Sequence, residues 1–131
     1  TNIEGALQFL TSVVKHRCTA FVLSDFYDQK DFLHPLQICN RKHDVVAVQV
    51  YDRFAKSLPD VGLMRVVDAE TGYEQYIDTS SKRLRRAHEQ YWNRMQQHLR
   101  ETMNKSNVDM VSISTGDDFV KHLLLLFKKR S

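Results

Sequence analysis

The chain has 131 residues, 42% of them hydrophobic and 27% charged, with 19 Lys+Arg against 16 Asp+Glu and a formal net charge of +3. That length is one ordinary domain or a large piece of one, long enough to bury a real core, and the composition is globular rather than disordered. So small an excess of positive charge does not by itself argue for nucleic acid. The longest apolar run, Leu123 to Phe127, falls far short of the ~20 residues that span a bilayer. Cys18 and Cys39 lack metal-ligand spacing and form no disulfide framework, so they read as reduced thiols of a cytoplasmic protein. No signal peptide opens the chain. It starts at Thr1, without an initiator Met, in what reads as the entrance to a helix, as a fragment would.

Residues 2–15 carry Ile3, Ala6, Leu7, Leu10, Val13 and Val14 at helical spacing, with Thr1 or Asn2 as cap and Glu4 in the first turn. Phe21-Val22-Leu23 follow as a short apolar strand, of the kind that suits a parallel strand covered on both faces. Residues 31–43 read as a second helix with Phe32, Leu36, Ile38 and Cys39 inward. Val45 to Tyr51 is a buried strand ending at Asp52. Leu58 to Gly62 is a turn-rich link. Leu63 to Val67 and Tyr73 to Ile77 then flank a short loop closed by Gly72 in the left-handed position, a β-hairpin. A long helix follows the cap candidates Thr79, Ser80 and Ser81, with the stripe Leu84, Ala87, Tyr91, Met95, Leu99 and Met103 inward. Val108 to Ser114 is a third core strand, and Gly116 or Asp117 opens a last helix, Phe119 to Lys129. Strands separated by helices predict an α/β fold with a three-layer, Rossmann-like, mostly parallel sheet. The hairpin, about residues 61–79, is an insertion on that core.

Ligands of open parallel sheets bind outside the carboxyl ends of the strands. Three such ends are polar: Ser24-Asp25, Asp52, and Ser112 or Ser114 with Thr115. Asp52 and Ser114-Thr115 read as turn and cap residues. Ser24-Asp25 differs, because Thr1 at a helix entrance and Asp25 at a strand end place two oxygen ligands on one rim, the chemistry hard cations such as Mg²⁺ require. The six histidines, His16, His34, His43, His88, His98 and His122, form no ligand pair. No phosphate-binding glycine loop and no nucleophile elbow is present. Lys82-Arg83-Leu84-Arg85-Arg86 puts cations at a helix start, against the dipole, a placement that hints at an acidic partner: protein, anionic membrane surface or nucleic acid. The preferred reading is a solvated face balanced by Asp68, Glu70 and Asp78. Tyr91 and Trp92 sit at core-like spacing, so a base-stacking platform is not expected.

The stretches "TNIEGAL", "FVLSDF", "RKHDVVAVQVYD", "LPDVGLMRVVDAETG", "IDTSSKRLRRAH" and "NVDMVSISTGDDFVKHLLLLFKKR", essentially the whole chain, resemble the C-terminal half of a bacterial family. Its members are von Willebrand factor A-like proteins associated with MoxR-type AAA+ ATPases, classed as domain-of-unknown-function family fifty-eight. The resemblance implies a von Willebrand A-like sheet in which Thr1 and Asp25 match the second and third elements of a metal-ion-dependent adhesion site, binding Mg²⁺ or Mn²⁺ in the intact domain. The first element, Asp-x-Ser-x-Ser, is absent here and would lie upstream of Thr1. A stably bound ion is therefore not expected on this fragment. The first strand would lie beside Val22 and Leu23, so its absence predicts an uncovered apolar strand edge and self-association through it. The implied role is a non-enzymatic protein-interaction module, partnered by a MoxR-type ATPase or its client, with Ser24 and the cations Lys82, Arg83, Arg85 and Arg86 as partner-binding candidates. The alternative is a metal-dependent hydrolase or phosphoryl-transfer enzyme using the same carboxylate rim. No nucleic-acid partner and no membrane span are expected.

Overall fold

A computed structural model describes residues 2–28, 30–68 and 70–130. Ten elements alternate along it: α1 (Ile3–Val13), β1 (Thr19–Ser24), α2 (Leu33–Lys42), β2 (Asp44–Tyr51), α3 (Arg53–Lys56), β3 (Leu63–Val67), β4 (Glu74–Asp78), α4 (Lys82–Lys105), β5 (Asp109–Ser114) and α5 (Phe119–Arg130). They form two compact units, one of Thr1–Tyr51 with Gln97–Ser131, the other of Asp52–Gln96.

The first unit is the expected α/β core. Its three strands are all parallel, in the order β1-β2-β5. Val45 aligns with Ala20 and Ala47 with Met110. The run Val45 to Val48 is buried on both faces of the sheet, as a continuous apolar strand in the middle of a parallel sheet must be. On one face lie Ile3 and Leu7 of α1, Leu36 and Cys39 of α2, and Leu99 and Met103 from the last turns of α4, packed with Val45 and Ala47. On the other face α5 lies against β5, and its Phe127 meets Phe21 of β1 edge to face, the ring centroids 5.9 Å apart.

Two expectations change here. Phe21-Val22-Leu23 is not covered on both faces: Leu23 is 66% exposed and Phe21 is exposed as well, because β1 is an edge strand and α5 reaches only part of it. The stripe on α4 is buried at Leu99 and Met103, whereas Ala87 and Tyr91 are exposed. The two buried residues belong to the unit that holds the parallel sheet, while the start of α4 belongs to the unit without it.

Caps follow the polar signals closely. Asn2 Oδ1 accepts from Gly5 N–H and Ser81 Oγ from Leu84 N–H, starting α1 and α4. Asp118, one residue beyond the expected position, caps α5 by accepting from Lys121 N–H.

The second unit is built on hydrogen bonds. β3 and β4 are antiparallel, with Met64 opposite Ile77 and Arg65 opposite Tyr76. Gly72 closes the turn at φ 73°, a conformation that favours glycine. At the hairpin base the buried Thr79 donates its hydroxyl to Gly62 O at 2.6 Å and accepts Val61 N–H at 3.1 Å. Arg85 Nη1 donates to Thr79 O at 2.7 Å, and His88 Nε2 donates to Phe54 O at 2.8 Å. α3, a single turn after Asp52, is absent from the sequence reading. Asp52 starts it by accepting Phe54 N–H at 2.8 Å.

Candidate functional site

The carboxyl ends of the parallel strands form the rim on which the first unit presents polar groups. Ser24, Gln49 and Ser112 stand in register across all three strands. They make one polar row near the carboxyl ends of the strands, followed on β2 and β5 by the apolar pair Val50 and Ile113, and Ser112 Oγ donates to the buried Gln49 Oε1 at 2.7 Å. The sequence signal for this row is the lone polar residue in "VVAVQVY", read there only as part of a buried strand.

Just past Ser24 the backbone turns sharply. Phe26 is buried at φ 56°, a left-handed conformation that is strained for a bulky side chain and costs about 1–2 kcal/mol. Two side chains hold it there: Ser24 Oγ accepts Phe26 N–H at 3.0 Å, and Asp25 Oδ1 accepts Tyr27 N–H at 2.9 Å. The Phe26 ring packs against Phe32. Asp25 is thus a turn-forming residue, and it is exposed.

Asp28 then joins this loop to the start of α1. Its Oδ2 accepts the N–H of Ile3 and its Oδ1 that of Lys30, both at 3.0 Å. The amide of Lys30, and after it that of Ile3, holds the Asp28 carboxyl below the usual carboxylate range. One of the unpaired N–H groups at the start of α1 is thereby satisfied from a loop 25 residues away in sequence. So the strand end bearing Ser24-Asp25 and the entrance of α1 are neighbours. Thr1 lies outside the described residues.

Among the described residues no group of three or more His, Cys, Asp or Glu is arranged to hold an ion. Ser24 and Asp25 are two oxygen donors on a rim and do not make a coordination cage by themselves.

Beside the rim, on the α5 face, Leu23, Val48, Val50, Ile113, Phe119 and Leu123 line an open apolar cleft of about 250 Å³, with the β5–α5 turn at its mouth. Gly116 sits in that turn at φ 92°, again a glycine conformation. Of the basic cluster, Arg85 faces inward, bonded to Thr79 O and 3.5 Å from Asp60. Lys82, Arg83 and Arg86 are exposed. Asp68 and Asp78 bond to neutral groups: Asp68 accepts from the amides of Glu70 and Thr71, and Asp78 from Ser80. Each of these two carboxyls is held below its ordinary range, Asp68 chiefly by the Glu70 amide and Asp78 chiefly by the Ser80 hydroxyl.

At the opposite, amino-terminal edge of the sheet, Arg130 at the end of α5 pairs with both Asp44 of β2 and Asp109 of β5. In the core, His43 is fully buried: its Nδ1 accepts Cys18 N–H at 3.1 Å and lies 3.4 Å from Cys18 Sγ, while its Nε2 has no hydrogen-bond partner among the described residues. No described helix is long and apolar enough to cross a membrane.

A parallel α/β sheet of Rossmann-like kind, with a strained, carboxylate-bearing turn at one strand end, defines the class of this protein. The chain belongs to the family described as "Protein of unknown function DUF58", whose profile matches residues 1–98. An uncharacterized protein of Mycobacterium avium is 25% identical over 129 residues, covering 98% of this chain and 76% of the relative. Uncharacterized proteins of Mycobacterium bovis and Mycobacterium tuberculosis are 34% identical over 71 residues, 54% of this chain. The chain matches 22% of the length of those two relatives. No solved structure gives a significant match.

Proposed function

We propose that this chain is the carboxyl-terminal part of a von Willebrand A-like module that binds a protein partner, without catalysing a reaction, at the rim formed by the β1 end and the start of α1. The observation that carries the reading is the pairing of Asp28 with Ile3 beside the left-handed Phe26. A buried aromatic held at positive φ by the two preceding side chains is strain placed where a parallel sheet presents its ligand site. In this reading Thr1 and Asp25 supply part of an Mg²⁺ or Mn²⁺ site completed by residues upstream of Thr1. A partner carboxylate then docks on the ion. A strand upstream of Thr1 pairs with the free edge of β1 and covers Leu23, the more exposed of its two outward-facing large apolar side chains; without it, two copies pair through the same edge. The partner assigned is a MoxR-type AAA+ ATPase or its client.

The test uses the full-length protein and the ATPase, with capture measured in Mg²⁺, in Mn²⁺ and in chelator, for wild type and Asp25→Ala. Capture that needs the ion and is lost in Asp25→Ala is the expected result. Capture indifferent to both removes the metal rim from the mechanism, and metal-dependent turnover of a phosphate ester would replace a binding module by an enzyme.

A further inference from the structure

The second unit carries a surface that the rim does not explain. Lys82, Arg83 and Arg86 line, with Ala87 and Gln90, one open hollow of about 400 Å³ on the outer face of α4. At 3.6 residues per turn these five positions fall on one side of the helix. Lys82 and Arg86 are like charges one turn apart, a mutually repelling spacing. Lys82 and Arg83 also sit in the first turn, where the helix dipole is positive and adds to that repulsion.

Six carboxylates of the unit have their bonds directed to groups other than these three cations. Asp60 pairs with Arg85, Glu74 with Arg65, and Glu89 meets Ser57. Asp52, Asp68 and Asp78 hold turn amides. Lys82, Arg83 and Arg86 make no ion pair among the described residues. Arg85, alone of the basic run, is half-buried and tied back to its own unit by its bond to Thr79 O.

We infer that this hollow is a docking site for an acidic segment of a partner protein, gripped by Arg83 and Arg86 with Lys82 as a third, less directional charge. The guanidinium fork matches a carboxylate with two parallel hydrogen bonds, whereas the lysine ammonium acts as a point charge. The hollow is broad and open, a shape that receives a chain bearing several carboxylates rather than one small anion held from all sides. A nucleic-acid backbone needs a longer basic track; within this unit the same face of α4 continues with Gln90, Asn93 and Arg94, a single further cation. A bilayer surface would call for large apolar side chains among the cations, and the hollow offers only Ala87.

The probe is a fluorescein-labelled hexaglutamate peptide, followed by fluorescence anisotropy at low salt. The proteins are the wild-type chain, the double variant R83Q/R86Q and R94Q, whose exposed arginine lies outside the hollow. Binding should weaken at least about tenfold in the double variant, change less than about twofold in R94Q, and fall steadily as salt rises. Because the substituted side chains are exposed, all three proteins should melt alike by circular dichroism, and that measurement separates lost binding from lost folding. Equal binding by wild type and the double variant overturns the proposal, as does no binding by the wild type. Tighter wild-type binding to a twelve-residue oligothymidylate, or to phosphatidylserine vesicles, reassigns the hollow to nucleic acid or membrane and equally overturns it.

Discussion

The two units of this chain solve the same problem by different means. In the first, Leu7, Cys39, Val45, Val46 and Met103 are essentially removed from water, and apolar burial dominates. In the second, the large apolar side chains of the hairpin, Leu63, Val67, Tyr73 and Tyr76, are exposed, and order depends on hydrogen bonds that Thr79 closes at the hairpin base and that Arg85 and His88 of α4 make to Thr79 and to α3. Burial of a side chain such as leucine contributes about 1.5–3 kcal/mol, whereas a neutral hydrogen bond nets only about 0.5–1.5 kcal/mol. The first unit is therefore organised to be rigid. The second exposes apolar and basic groups, the composition expected of a surface that meets other molecules.

The largest effect that would test this contrast lies in the first core. Leu7→Ala or Met103→Ala should each cost about 2–5 kcal/mol, the transfer loss plus a cavity that packed neighbours cannot fill, read by urea denaturation. A loss below about 1 kcal/mol would mean that the core is not close-packed, and the comparison would fail on its stronger side.

In the second unit the matching test is Thr79→Val, which keeps shape and removes the hydroxyl. Val61 N–H then loses its acceptor and Gly62 O one of its donors, at a cost of about 1–3 kcal/mol. The loss should appear as faster hydrogen exchange in residues 61–79, with β2 amides unchanged. Equal acceleration in both units would show that they open together.

How much of this contrast is legible in the sequence depends on the range of the interaction involved. β2 is legible because "VVAVQVY" has no other home than a buried strand, and α1 and α4 because their stripes and caps agree. The hairpin is legible from its turn and Gly72. α3 is not, since a one-turn helix has no periodicity to detect. At the candidate rim, Ser24 and Asp25 stand out locally, but Asp28 does not: its partner, the Ile3 amide, lies across a fold that had to be built first. Phe26 is the least legible residue of all, because a buried aromatic is ordinarily read as core, and its left-handed backbone is imposed by its neighbours. The exposed flank of β1 is legible only through the resemblance, since an apolar run looks the same on an edge as in the middle of a sheet.

Asp28 offers a smaller and more diagnostic test of how the rim is held. Asp28→Ala removes the acceptor for the Ile3 and Lys30 amides and should cost about 1 kcal/mol, in line with other losses at helix starts. The pH dependence has a definite sign. Since the folded-state carboxyl is held below its ordinary value, its stabilisation is present above the unfolded pKa of about 3.9 and is lost as pH falls through the lower folded value. The difference between wild type and Asp28→Ala should be constant from neutral pH down to about pH 5 and shrink below about pH 4. A difference that persists unchanged at pH 2 would show that Asp28 acts through packing rather than through its charge.

The smallest expected effect falls on the exposed hairpin. Tyr76→Ser removes an aromatic ring that is 63% exposed and lies opposite Arg65 on β3, and should change stability by less than about 0.5 kcal/mol. If the hairpin face is a contact surface, the same substitution should lower the chain's tendency to associate, seen as a later elution or a smaller light-scattering mass at high concentration. A loss of stability well above 1 kcal/mol would mean that Tyr76 packs against something essential to the fold, and the hairpin would then belong with the rigid side of the comparison. Between these outcomes the mutation discriminates cleanly, because a residue that stabilises nothing in the isolated chain and yet governs association has its partner outside it.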